Sequence, residues 1–222
     1  MELQRYESRV SKPSAEKKRV YLLVKRVLDI IVSFLLLILF TPLILIVARI
    51  IYKQEGGPVL AKSWRVGVHE RPFILYEFRT FSTPSRVISA FPRPATVTRA
   101  HYRQQQMIRE RQQQVLTPIG KKLRKFKFHK LPQLWNVLKG EMSFVGPIAV
   151  DRETVLTYNQ YEYRRMAMKP GITGFTRVYT PGLRKDLKIE QDLYYMKYRT
   201  LKMDMIILFR AIRRLLKNKT SK

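Results

Sequence analysis

From Ile30 to Ala48 the chain reads IIVSFLLLILFTPLILIVA, with no charged residue. A run of this length and composition matches the roughly 20 apolar residues that cross a bilayer. A core helix of a water-soluble domain rarely stays apolar on every face for so long. The stretch therefore predicts a helix embedded in a membrane. It starts too far from the N-terminus, and runs too long, for a cleaved signal peptide; Arg49 and Lys53 follow it instead of a small-residue cleavage site.

Its course through the bilayer is a separate question. Proline lacks the N–H that would bond the preceding turn, so Thr41-Pro42 predicts a kink. The arm from Ile30 to Thr41 would rise only ~18 Å at 1.5 Å per residue, short of a ~30 Å hydrocarbon core. Basic residues flank both ends: Lys17, Lys18, Arg19, Lys25 and Arg26 before, Arg49 and Lys53 after. Positive flanks favour the cytoplasmic side. A helix broken at Thr41-Pro42 that enters and leaves one leaflet satisfies both ends; a kinked spanning helix is the competing course.

Charge narrows the partners. The chain has 222 residues, with 44 Lys+Arg against 16 Asp+Glu and a formal net charge of +28. Such a chain needs anionic company, either nucleic acid or the anionic face of a bilayer. The apolar run favours the bilayer, and no nucleic-acid partner is expected. No Cys occurs, which removes disulfides and thiolate chemistry. The three His lie far apart without metal-ligand spacing.

The expected organisation is a basic lead-in over 1–24, the membrane helix over 25–53 and a cytoplasmic domain over 54–222. Turn signals at Gly56-Gly57-Pro58 and Gly67, with Pro72-Phe-Ile-Leu-Tyr beyond, predict a small hairpin. The Ser-, Pro-, Arg- and Gln-rich stretch 82–114 predicts a polar insertion. QLWNVLKG predicts a short helix closed by Gly140. Tyr158 to Met168 reads as another helix. Residues 201–217 combine Met205, Ile206, Leu208, Phe209, Ile212 and Leu216 with Arg210, Arg213, Arg214 and Lys217, the pattern of a basic amphipathic helix lying in a membrane interface.

Among chemical motifs, no GxGxxG, Walker A, HExxH or GxSxG sequence occurs, and no two carboxylates are adjacent. Phosphoryl chemistry usually needs a divalent cation held by carboxylate oxygens. Glu141, Asp151, Glu153, Asp186, Asp192 and Asp204 each stand alone or nearly so.

Several segments together resemble one family. They are KRVLDIIVSFLLLILFTPLILI, GGPVLAKSWRVG, RPFILYEFRTF, LTPIGKKLRKFKFHKLPQLWNVLKGEMSFVGP, KPGITGFTRV and QDLYYMKYRTLKMDMIIL. Their content and order resemble the bacterial sugar transferases, monotopic polyprenyl-phosphate phosphoglycosyl transferases. The likeness runs from about Lys25 to Arg210. It implies a mainly α fold with a small β element, a re-entrant helix broken at Thr41-Pro42, and interfacial amphipathic helices. It also implies the cytoplasmic face of the bacterial inner membrane and a role in exopolysaccharide or glycoconjugate assembly. The implied reaction moves a sugar-1-phosphate from a nucleotide-sugar to undecaprenyl phosphate, with Mg²⁺ and an Asp-Glu pair just before Leu-Pro-Gln.

That pair falls on His129 and Lys130. Other departures are Glu77 for a Lys, Arg177 for a Gln, Gln113 and Val115 in an Asp-x-Arg-x-Thr segment that keeps only Thr117, and Ile148-Ala149 after Gly146-Pro147. An ammonium cannot ligate a cation, and positive charges in place of negative ones repel it. The expectation is therefore a family member without the usual transfer and without Mg²⁺, or any other metal, at this position. It would bind membrane lipid or undecaprenyl phosphate through Arg65, Arg79, Arg124, Lys125 and Lys127, and serve an active glycan-assembly enzyme as an accessory partner. Three alternatives remain open: His129 as a nucleophile, Glu141 as a replacement acid, and a basic nucleic-acid-binding protein.

Overall fold

A computed structural model describes residues 15–82, 116–180, 182 and 184–217. The expected polar insertion lies almost wholly outside the described residues, as does most of the lead-in. Helix α1 spans Ala15–Glu55, so it begins well before the predicted boundary at Lys25. Residues 15–24 contain neither Gly nor Pro, and Tyr21 has a tertiary partner described below.

The predicted break does not interrupt α1, which continues through Pro42. Thr41 Oγ1 donates to the Leu37 carbonyl at 2.6 Å, a hydroxyl contact with the preceding turn of the kind that lets a helix carry a proline. The apolar side chains of α1 point mostly outward: Phe34 is 53% and Leu39 66% exposed. By length and composition α1 could cross a membrane.

Both ends of α1 are fastened to the rest of the chain. Near its start, Arg26 donates to the Val137 and Leu138 carbonyls at 2.7 and 2.9 Å. These are the last carbonyls of α3 (Gln133–Lys139), where a cation also meets the negative end of the helix dipole. Asp29 accepts from the Phe144 N–H at 3.2 Å. Near the other end, Val47 and Ile51 are buried with Phe78 and Leu123.

Strands β1 (Leu60–Val66) and β2 (Pro72–Phe78) form the predicted hairpin, in register from Leu60↔Phe78 to Val66↔Pro72. Helix α2 (Pro118–Lys125) is capped by Thr117, whose Oγ1 accepts from Gly120 N at 2.9 Å. A single 3-10 turn, Phe128–Lys130, joins α2 to α3. Asn136 of α3 is fully buried. Its amide accepts from Tyr76 N and donates to the Ile74 carbonyl, at 3.2 and 2.6 Å, which fixes α3 against β2.

Strands β3 (Ser143–Val145) and β4 (Gly171–Thr173) pair in parallel. Their loops touch backbone to backbone: a Cβ on Gly171 would lie 2.2 Å from Gly146 N. Between them come α4 (Arg152–Leu156), α5 (Gln160–Tyr163) and a 3-10 turn over Arg164–Ala167. This differs from the single helix expected over Tyr158 to Met168. Asn159 starts α5 with a capping box, and Arg165 is drawn inward to Asp192 at 2.8 Å, to the Tyr158 hydroxyl and to the Ile148 carbonyl.

Helix α6 (Phe175–Tyr179) leads to α7 (Lys185–Tyr198) and α8 (Leu201–Lys217). The largest core cluster joins Val145, Met168, Phe175, Tyr195, Met203 and Ile207. Asp204 of α8 ties α1 to this core. It accepts from Lys25 Nζ at 2.5 Å, from the Tyr21 hydroxyl at 2.8 Å and from the Tyr195 hydroxyl at 2.5 Å. The opposite side of α8 leaves Met205, Phe209, Ile212 and Leu216 exposed.

Candidate functional site

The backbone of Lys127 adopts a left-handed conformation, φ 60°, immediately before the 3-10 turn. That reversal turns His129 and Lys130 inward from the exposed basic end of α2. His129 is buried, with Nδ1 3.2 Å from the Leu123 carbonyl. A carbonyl can only accept, so Nδ1 carries the proton and Nε2 keeps its lone pair. Burial, the largest influence, lowers the imidazole pKa below its ordinary value, so the ring is neutral near pH 7.

Lys130 reaches across to β4 and donates from Nζ to the Ile172 carbonyl at 2.8 Å. Arg177 of α6 donates to the same carbonyl from Nη1 at 3.0 Å. Two cations thus share one oxygen. Burial first, then Arg177, push the Lys130 ammonium down to about 7. Burial also lowers Arg177.

Glu77 of β2 supplies the countercharge. It raises the pKa of His129, Lys130 and Arg177 alike. One of its oxygens accepts from Gln133 Nε2 at 2.7 Å. Among the described residues, no carboxylate approaches Lys130 or Arg177 within 4.0 Å.

The other predicted residues make no side-chain hydrogen bond to this cluster, though the charges of Arg124 and Lys127 act on His129 and Lys130. Arg79 is buried and donates to the carbonyls of Gly57, Phe81 and Ser82, with Glu55 at 3.8 Å. It holds the chain entering and leaving the hairpin. Arg65 lies 3.5 Å from Asp151. Arg124 donates to Thr80 Oγ1 at 2.9 Å and stacks over Phe81. Lys125 and Lys127 are exposed. Glu141 accepts from Asn136 and Lys139. Asp192 and Asp204 are likewise engaged, with Arg165 and Lys25.

Sequence reasoning noted Glu77 and Arg177 separately as departures from the family pattern. It did not bring them to His129 and Lys130. The available signal was that all four changes alter charge.

Residues 20–218 match the bacterial sugar transferase family. The chain belongs to that family. Three relatives span functions and lengths. The chain is 34% identical over 206 residues to the UDP-N-acetylgalactosamine-undecaprenyl-phosphate N-acetylgalactosaminephosphotransferase of Aeromonas hydrophila, covering 89% of this chain and 44% of that protein. It is 31% identical over 196 residues to the uncharacterized sugar transferase EpsL of Bacillus subtilis, covering 88% of each. It is 28% identical over 193 residues to the exopolysaccharide production protein ExoY of Sinorhizobium fredii, covering 85% of this chain and 83% of that one. The chain thus spans less than half of the Aeromonas protein but most of the other two.

For this family member, the donor set at the junction does not suit Mg²⁺. That ion takes carboxylate and water oxygens in a near-octahedral arrangement. Here one carboxylate, already bound by Gln133, faces two cations and an imidazole.

Proposed function

We propose that this sugar transferase family protein works in exopolysaccharide or glycoconjugate assembly without the carboxylate- and magnesium-dependent transfer, as an accessory subunit that binds a lipid phosphate. One observation carries the reading: Lys130, at one of the two positions where the family resemblance puts a carboxylate pair, meets Arg177 at the Ile172 carbonyl. A transferring phosphate would meet cations and no acidic nucleophile.

The acceptor reading draws support from the relatives, among them the Aeromonas enzyme whose name specifies undecaprenyl phosphate. Membrane placement draws support from the outward apolar surface of α1 and the exposed apolar stripe of α8 beside Arg210 and Arg213. A re-entrant course agrees with both ends of α1 packing against the same domain and with basic flanks on both sides. Such a course puts the domain on the cytoplasmic face of the inner membrane.

The test is lipid binding by purified protein in nanodiscs. Retention of undecaprenyl phosphate over neutral lipid supports the reading; equal retention removes its basis.

A second reading has one observation in its favour, the neutral imidazole of His129 with Nε2 unprotonated. Nε2 could attack the β-phosphorus of a nucleotide-sugar, forming an N–P bond as the P–O bond to the nucleoside monophosphate breaks. Turnover that disappears in His129→Ala would establish this route.

A further inference from the structure

Buried like charges are costly unless an anion compensates them. Lys130 and Arg177 break that rule among the described residues. Each is half-buried, they are aimed at one point, and neither has a carboxylate within 4.0 Å. A carbonyl dipole offsets only part of the charge of two cations. Glu77 contributes one negative charge but directs an oxygen at Gln133. The cluster is therefore positive in excess wherever Lys130 keeps its proton.

Donors are in excess too. A lysine carries three N–H donors and an arginine five, in a planar fork that matches phosphate oxygens. Each spends one on Ile172, leaving the others available side by side. Lys127, exposed and left-handed at the start of the turn, adds a third cation whose field reaches Lys130.

We infer that Lys130 and Arg177, braced by the Ile172 carbonyl, form a metal-independent site for a phosphate-class oxyanion, with Glu77 as the internal countercharge the ligand must compete against. The inference rests on the reading above, that this junction binds and does not catalyse magnesium-dependent transfer. It differs from the sequence expectation in its residues: neither Lys130 nor Arg177 belonged to the set Arg65, Arg79, Arg124, Lys125 and Lys127.

The countercharge gives the inference a directional test. Glu77→Gln keeps an oxygen for Gln133 but removes the competing charge, so it should tighten oxyanion binding. Lys130→Met and Arg177→Met should weaken it. A variant that merely disturbed the fold would not improve binding, which makes Glu77→Gln informative whatever the others do.

The experiment uses the full chain in two arms. Inorganic pyrophosphate is titrated calorimetrically without magnesium, and protein is incorporated into nanodiscs with undecaprenyl phosphate or with phosphatidylcholine alone. The expected result is binding weakened at least tenfold by Arg177→Met and by Lys130→Met, and tightened severalfold by Glu77→Gln. If this pattern appears with pyrophosphate, the site takes a soluble phosphate; if only with undecaprenyl phosphate, the headgroup is its ligand. Undecaprenyl phosphate binding that all three variants leave unchanged overturns the inference and leaves the lipid-binding function standing. No preference for either phosphate by the unaltered protein overturns both.

Discussion

Asp204→Ala is the substitution whose cost the structure predicts most directly. Lys25 and Asp204 are separated by most of the chain, yet their side chains are only 10% and 7% exposed and 2.5 Å apart. Two buried phenols, of Tyr21 and Tyr195, donate to the same carboxylate. Removing it leaves an ammonium and two hydroxyls without their acceptor. Breaking one partner of a buried ion pair costs about 3–5 kcal/mol, whereas replacing both with apolar groups of similar volume is often near neutral. At about 2–4 °C per kcal/mol for a domain of this size, the melting midpoint should fall by roughly 6–20 °C. Lys25→Met/Asp204→Leu removes the stranded ammonium and should recover its share of that loss, with the two phenols still short of an acceptor. The assay is thermal unfolding of detergent-solubilised protein, followed by circular dichroism for wild type, both single variants and the double. A coupling of at least about 2 kcal/mol is expected from a contacting buried pair. The reasoning fails if the single losses add in the double variant, or if Asp204→Ala costs under about 1 kcal/mol, as an exposed pair would.

Three further outcomes follow from the same structure. Lys130 loses its proton near pH 7 in the folded chain, against an ordinary 10.5. Between those values the unfolded chain binds more protons, so stability rises with pH, while below about 7 the cost of the buried charge is fully present. Arg177, Lys127, His129 and Glu77 are the charged or titratable neighbours. Denaturant unfolding from pH 7 to 9 should show a rise that Lys130→Met flattens; parallel profiles would contradict the burial argument. Gly171→Ala would push a Cβ to 2.2 Å from Gly146 N, so the β3–β4 loops must part and soluble yield should collapse; normal yield and melting would show the contact can relax. Asn136→Ala strands the Tyr76 N–H and Ile74 carbonyl, at about 2–4 kcal/mol for buried unsatisfied groups, measurable as a lower midpoint.

Much of the architecture was legible locally. The apolar run, the hairpin between turn signals and the helix ending at Gly140 each depend on residues near in sequence. A kink at Thr41-Pro42 was expected from proline's missing donor, and a break from the family resemblance; the helix continues through both residues, with the Thr41 hydroxyl on the preceding turn. Asp204's bonds to Tyr21 and Lys25 and Arg26's grip on the end of α3 were not legible, because they join residues over a hundred positions apart. The same holds for the site. His129 and Lys130 stood out by their position in a motif. The basic strip around them suggested one cradle, yet Arg79 and Arg124 are occupied with loop carbonyls and Thr80. The cation that does meet Lys130 comes from α6, and only the fold brings it there.

We propose that this junction, with cations where acids would hold a metal, does not perform the family's transfer. Its most direct test is release of nucleoside monophosphate from a panel of UDP-sugars with undecaprenyl phosphate and Mg²⁺. The unaltered chain should give none above a protein-free control. Magnesium-dependent turnover by the unaltered chain would show that the junction still catalyses the transfer.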